Sequence, residues 1–212
     1  MLGANDGIVS TASLVLGVAA AGASGRAIVT AGIAGLMAGA LSMAAGEYVS
    51  VSSQRDSEDA DLRLEERELR DDPAGELREL AGIYERRGLT ADLALQVAVG
   101  LSRADALATH ARDELGLEEQ RRAHPLQAAW ASALSFSAGA ILPLIAIGVS
   151  PPSARAGICV AVTLVALALL GDVGARLGGG LQLRATLRVL AWGTVAMAVT
   201  AGIGALVGAA TG

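Results

Sequence analysis

The 212-residue chain is 53% apolar with a mean hydropathy of +0.52, holds 27 glycines and is only 2% aromatic. That is the composition of close-packed membrane helices rather than of a soluble domain. A net charge of −5 argues against a nucleic-acid partner, which wants a basic face, and one cysteine, Cys159, excludes a disulfide framework within the chain.

The charge is unevenly spread. Eighteen of the 21 acidic residues lie between positions 51 and 125, and the rest of the chain is largely apolar. The pattern predicts a membrane body with one water-facing acidic insert. Taken in order, the first apolar segment covers about Asn5 to Ala23 and the second about Ala27 to Val51. The third, fourth and fifth cover about Leu126–Val149, Ala154–Val173 and Leu187–Ala209. A helix needs about 20 such residues to cross a bilayer. No basic n-region of a cleavable signal precedes the first segment, and a native N-terminal piece is expected to be missing. The domains are therefore drawn as 1–51, 52–124 and 125–212.

Arginine sets the orientation. The insert holds 11 arginines, and Arg176, Arg184 and Arg188 flank the joint between segments four and five; the opposite joints hold only Arg26 and Arg155. The positive-inside rule then puts the insert and the N-terminus in the cytosol and the C-terminus outside.

Within the insert, nothing stops the second segment from running on as helix to Asp71. Asp72-Pro73 is a restart signal, an N-cap followed by proline at the first helical position. A helix over about 73–87 follows, ending at Gly88. Thr90 then opens a third helical stretch, with a possible break, to Leu117.

Glu65 and Glu68 are three apart on one helix, and Glu76 and Glu79 repeat that spacing on the next. Folding back at the Asp72-Pro73 corner would bring four carboxylates together, an oxygen-rich setting for a hard or borderline divalent cation. The alternative is a solvated acidic face, common on charged helices. His110 and Glu114 are four apart, so both can reach one metal; an ordinary surface histidine is the competing reading. In the membrane body Asp6 stands near the start of an apolar helix, where a carboxylate is either functional or a cap at the interface. Met43 offers a soft thioether or is simple packing, and Glu47 is a second ionisable group close to membrane depth. Gly35/Gly39 and Gly204/Gly208 are GxxxG pairs that permit close helix contact, often at dimer faces.

Taken together, Asn5-Asp6-Gly7-Ile8-Val9-Ser10-Thr11, Gly39-Ala40-Leu41-Ser42-Met43, Gly46-Glu47-Tyr48, the two glutamate pairs and Glu114-Leu115-Gly116-Leu117 resemble the vacuolar iron transporter family over nearly the whole chain. The resemblance implies an all-α membrane protein, with five transmembrane helices and a cytosolic three-helix metal-binding insert between helices 2 and 3. It implies a homodimer that exports Fe²⁺, and often Mn²⁺, from the cytosol in exchange for protons. It implies no enzymatic activity and no permanently bound cofactor, the metal being the substrate. By position, Asp6 and Met43 match the intramembrane path, and Glu65, Glu68, Glu76, Glu79 and Glu114 the cytosolic site. Two departures stand out: eukaryotic members carry a Met pair where this chain has His110 and Ala111, and a glutamate where it has Gly35. Asp6 or Glu47 is then the candidate for the proton-coupling work.

Five short helices enclose little volume, which favours a path between subunits. The expected location is a bacterial cell membrane. Two other functions stay open: an iron-oxidising or storage-like membrane protein with a carboxylate-bridged site, and a non-transporting scaffold whose insert binds a basic partner. The first would ordinarily use Glu-x-x-His motifs, of which there are none here.

Overall fold

The computed structural model describes residues 2–117 and 123–211. Arg121 and Arg122, two of the insert arginines counted above, lie outside those residues. Among the described residues the chain is wholly helical: α1 (Leu2–Ala20), α2 (Gly25–Asp71), α3 (Pro73–Arg86), α4 (Ala91–Asp113), α5 (Pro125–Val149), α6 (Arg155–Leu177) and α7 (Gln182–Thr211). They divide into two compact units, residues 1–48 with 126–212, and residues 49–125.

Among the described residues four helices are long and apolar enough to cross a bilayer: α2, α5, α6 and α7. The fifth expected span, α1, is 19 residues and starts among polar side chains, Asn5 and Asp6. Its inner face is nonetheless the centre of the first unit. Ile8, Ala12, Val15 and Leu16 recur at helical spacing and are buried. Ala12, Val15 and Leu16 share a core with Ile28, Ile147, Cys159 and Met197. The helices approach closely because glycines face the backbone of neighbouring helices. A Cβ at Gly139 would overlap the Ala4 carbonyl, and one at Gly204 would overlap the Gly17 carbonyl. The Gly204/Gly208 pair therefore packs α7 against α1 within the chain rather than forming a face between copies. On the outside, Leu41, Trp130, Trp192 and Leu206 are well exposed, as lipid-facing side chains would be.

α1 ends in a left-handed glycine, Gly22 (φ 79°), with Ala23 N donating back to Val18 O. This satisfies carbonyls that the helix end would otherwise leave free.

The second unit is built from the part of α2 beyond residue 48, α3 and α4. The corner between α2 and α3 follows the sequence: Asp72 Oδ1 accepts from Gly75 N at 2.9 Å and Pro73 fills the first helical position. α3 and α4 bury Leu80, Ala81, Ile83, Tyr84, Ala94 and Ala98 against one another. Gly88 (φ 102°) turns the chain between them. Thr90 is at the N-cap of α4 as expected, but its hydroxyl makes no capping bond.

α4 is two helical pieces. Asp105 has extended backbone angles (φ −163°, ψ 102°), and its Oδ1 accepts from Ala108 N at 2.9 Å, so it acts as an N-cap inside the helix. Thr109 Oγ1 braces the break by donating to Asp105 O at 2.7 Å. The second piece carries His110 and Glu114.

Candidate metal centre

Four side chains from three helices converge in the second unit: Glu65 of α2, Glu76 of α3, His110 of α4 and Glu114 at the end of α4. One ligand atom from each lies within 4.8 Å of all the others. Donors around a divalent ion sit roughly 2.0–2.6 Å from it, so atoms this close together can share one ion.

His110 is fully buried and central. Its Nδ1 is 2.9 Å from Glu65 Oε1, 2.9 Å from Glu114 Oε2 and 3.7 Å from Glu76 Oε2. One N–H cannot serve three carboxylates. Only the Glu114 contact has hydrogen-bond geometry, so Glu65 Oε1 is close to the ring yet lacks a bonded partner. His110 Nε2 is likewise buried without one. Buried polar atoms are rarely left unpaired, and those that are call for an explanation such as an ion.

The electrostatics point the same way. Burial, and then the Glu114 carboxylate, push the Glu65 carboxyl up to about 7; Glu76 and Glu68 add to the rise, and His110 opposes it. Burial and the neighbouring Glu79 also raise Glu76. A carboxylate set that resists ionisation when empty gains most from a bound cation. The ligand set of three oxygens and one imidazole suits Fe²⁺ or Mn²⁺ and excludes none of the neighbouring divalent ions.

Not all the glutamates of the repeated spacing join the group. Glu68 and Glu79 are exposed and stand outside the four-residue cluster, though near enough to raise the carboxyls of Glu65 and Glu76. Glu68 is one turn from Glu65 yet stays exposed while Glu65 is buried. His110 and Glu114 do meet, as their spacing predicts.

A second group of residues holds the site in place and has no signature in the sequence. Asp113 receives Tyr84 Oη at 2.6 Å, Arg87 Nη1 at 2.8 Å and Arg112 Nη2 at 2.7 Å; Arg87 Nη2 also donates to the Asp113 carbonyl at 3.1 Å. Burial works against the Asp113 charge, but these donors outweigh it and hold the carboxyl far below its usual range. The clasp ties the end of α4 to α3 one residue before Glu114.

In the first unit Asp6 and Met43 line the same cleft of about 230 Å³, together with Ser10, Thr11, Leu14, Gly35, Gly39, Ser42 and Phe136. The glycines keep it open. A Cβ at Gly39 would run into the Phe136 ring, and one at Gly35 into Leu14. Ser10 Oγ donates to the Asp6 carbonyl at 2.6 Å. Phe136, the chain's sole phenylalanine, carries no functional signal in the sequence because it stands on a distant helix in an apolar run. Glu47 is exposed and lines neither the cleft nor the cluster.

Comparison with known proteins agrees with the motifs. A sequence model of the VIT family matches residues 1–205. The "Vacuolar iron transporter" of Acanthamoeba castellanii is 44% identical over 207 residues, covering 97% of this chain and 76% of the relative. "Vacuolar iron transporter homolog 5" of Oryza sativa subsp. japonica is 42% identical over 204 residues, covering 96% of this chain and 76% of the relative. "Vacuolar iron transporter homolog 2" of Arabidopsis thaliana is 38% identical over 209 residues, covering 98% and 82%. A family match over residues 1–205 and relatives at 38–44% identity along nearly the whole chain leave one conclusion: the chain belongs to the VIT family.

Proposed function

We propose that this chain is a divalent-metal transporter, not an enzyme, that exports Fe²⁺ and Mn²⁺ from the cytosol by proton antiport. The observation that carries the reading is the buried His110 ringed by three carboxylates, with two polar atoms lacking partners. In this reading Glu65, Glu76, His110 and Glu114 capture the ion, while Glu68 and Glu79 add negative potential at the entrance. Asp6 and Met43 form the intramembrane step. The names of the relatives, one a vacuolar iron transporter and two named as homologues of such a transporter, support iron as cargo.

The architecture proposed is five membrane helices, with α1 as the first, and a cytosolic domain over 52–124 flanked by 1–51 and 125–212. The chain works as a homodimer in a bacterial cell membrane, with insert and N-terminus cytosolic and C-terminus outside. The arginine distribution supports that orientation. Protonation of Asp6 from the far side discharges the ion, because a neutral carboxylic acid is a poor ligand. Glu47 is the second proton-site candidate.

The test is flux in proteoliposomes, with Fe²⁺ and Mn²⁺ offered separately under an imposed pH gradient. Wild type is expected to move metal against the proton gradient, and Asp6→Ala to lose at least about 90% of it. Flux that ignores the pH gradient would rule out antiport, and unchanged flux in Asp6→Ala would remove that residue from the path.

A further inference from the structure

A second, apolar cavity in the first unit is unused by this mechanism. It measures about 690 Å³, within the roughly 300–1,000 Å³ of typical ligand sites, and opens where α2 and α6 begin. Leu16, Ala20, Ile28, Val160 and Met197 form its walls. No carboxylate lines it, which makes it a poor passage for a cation.

Its charged wall residue is Arg155. This arginine is the first residue of α6, where the helix dipole already places positive charge. Its guanidinium packs over Gly25, the first residue of α2, and so lies against a second positive helix end. The N-cap of α6, Ala154, supplies no side-chain acceptor to the first turn. Arg155 Nε is buried without a hydrogen-bond partner, and among the described residues Arg155 forms no ion pair. Positive charge thus accumulates at the rim of a greasy groove, and among the described residues no carboxylate pairs with it.

We propose that this groove binds an anionic glycerophospholipid, with the phosphate at Arg155 and an acyl chain along α1 and α7. Both halves of such a molecule match what the cavity lacks: an oxyanion for the guanidinium and methylenes for the walls. The phosphate also accepts from the uncapped first turn of α6.

The experiment uses the full chain in detergent, delipidated, and titrated with dioleoylphosphatidylglycerol while thermal unfolding is followed. Dioleoylphosphatidylcholine and oleate serve as comparison probes. Wild type is expected to be stabilised by the phosphatidylglycerol at concentrations at least about tenfold below those needed of either comparison lipid. Arg155→Gln should raise the concentration required about tenfold or more, and Arg155→Lys should recover part of it. Should Arg155→Gln fail to fold, Ala198→Trp, which puts a bulky ring at another residue lining the groove and leaves the arginine in place, is expected to abolish the lipid effect. Equal stabilisation of wild type and the folded Arg155 or Ala198 variants would overturn the proposal, as would equal potency of oleate or of the zwitterionic lipid. Mn²⁺ binding, measured on the same samples, should be unchanged by Arg155→Gln, so loss of the lipid effect is separable from failure of the metal site.

Discussion

A single imidazole decides how the metal cluster behaves. His110 Nδ1 can satisfy one carboxylate at a time, and the structure places three around it. The consequence for pH follows from Glu65, whose carboxyl is raised from 4.5 to about 7 chiefly by burial. With the folded value above the unfolded one, the metal-free fold holds more protons than the unfolded chain between those limits. Its stability therefore falls as pH rises from about 4.5 to about 7. Metal affinity runs the other way: protons compete below about 7, so Mn²⁺ binding should strengthen up to that pH and then level off. Isothermal titration across pH 5.5–8.5 checks this. Glu65→Gln should weaken binding at pH 7.5 at least tenfold and flatten the pH dependence. Asp113 works at one remove, through the clasp on Tyr84 and Arg87. Asp113→Ala leaves Tyr84 Oη without its acceptor, with an expected loss of about 1–3 kcal/mol of stability. It should also cost 10- to 100-fold in Mn²⁺ affinity, as loss of a supporting residue commonly does. Tyr84→Phe, which keeps both arginine contacts, should show a smaller loss of each. Thermal melts paired with metal titrations separate these outcomes.

At the scale of elements, much was legible and some was not. α2 running on to Asp71 follows from a stretch without glycine or proline after Gly46, and the corner after it follows from Asp72-Pro73. The strength of that corner is open to measurement: Asp72→Ala should lower stability by about 1 kcal/mol, read as a drop in melting temperature with no change in helix content. The break in α4 was legible only as a possibility. Asp105 looks like any solvated acid in a helical pattern, and what makes it a cap is an extended backbone that only tertiary packing selects. The same reason explains the glutamate pairs. Spacing puts Glu65 and Glu68 on neighbouring rows of α2, yet which row faces α4 depends on the packing of three helices, and only Glu65 is covered. The His110–Glu114 pair was legible because one turn of one helix fixes it.

For the molecule as a whole, the concentration of acidic residues between 51 and 125 suggests an insert, and the described chain has 49–125 as its second compact unit. The five-span expectation leans on α1, whose polar start hides how centrally it packs. The packing between α1 and α7 is set by absent side chains rather than present ones, which is why hydropathy could not reveal it. Gly204→Leu, placed against the Gly17 carbonyl, should push the two helices apart and destabilise the membrane unit by several kcal/mol. Loss of monodisperse protein on size-exclusion in detergent is the expected readout. Gly202→Leu, where a Cβ meets nothing within 4 Å, is the matched control and should behave as wild type.

The convergence of three helices on one candidate ion has a cellular corollary. The shared core of α3 and α4 is small, so a bound cation would act as a rivet between α2, α3 and α4. At a hundredfold excess over its dissociation constant, such a ligand adds about 2.7 kcal/mol to the folded state. Starved of its cargo, the domain would loosen and become easier prey for proteases. The quantity of transporter would then track the supply of metal through turnover.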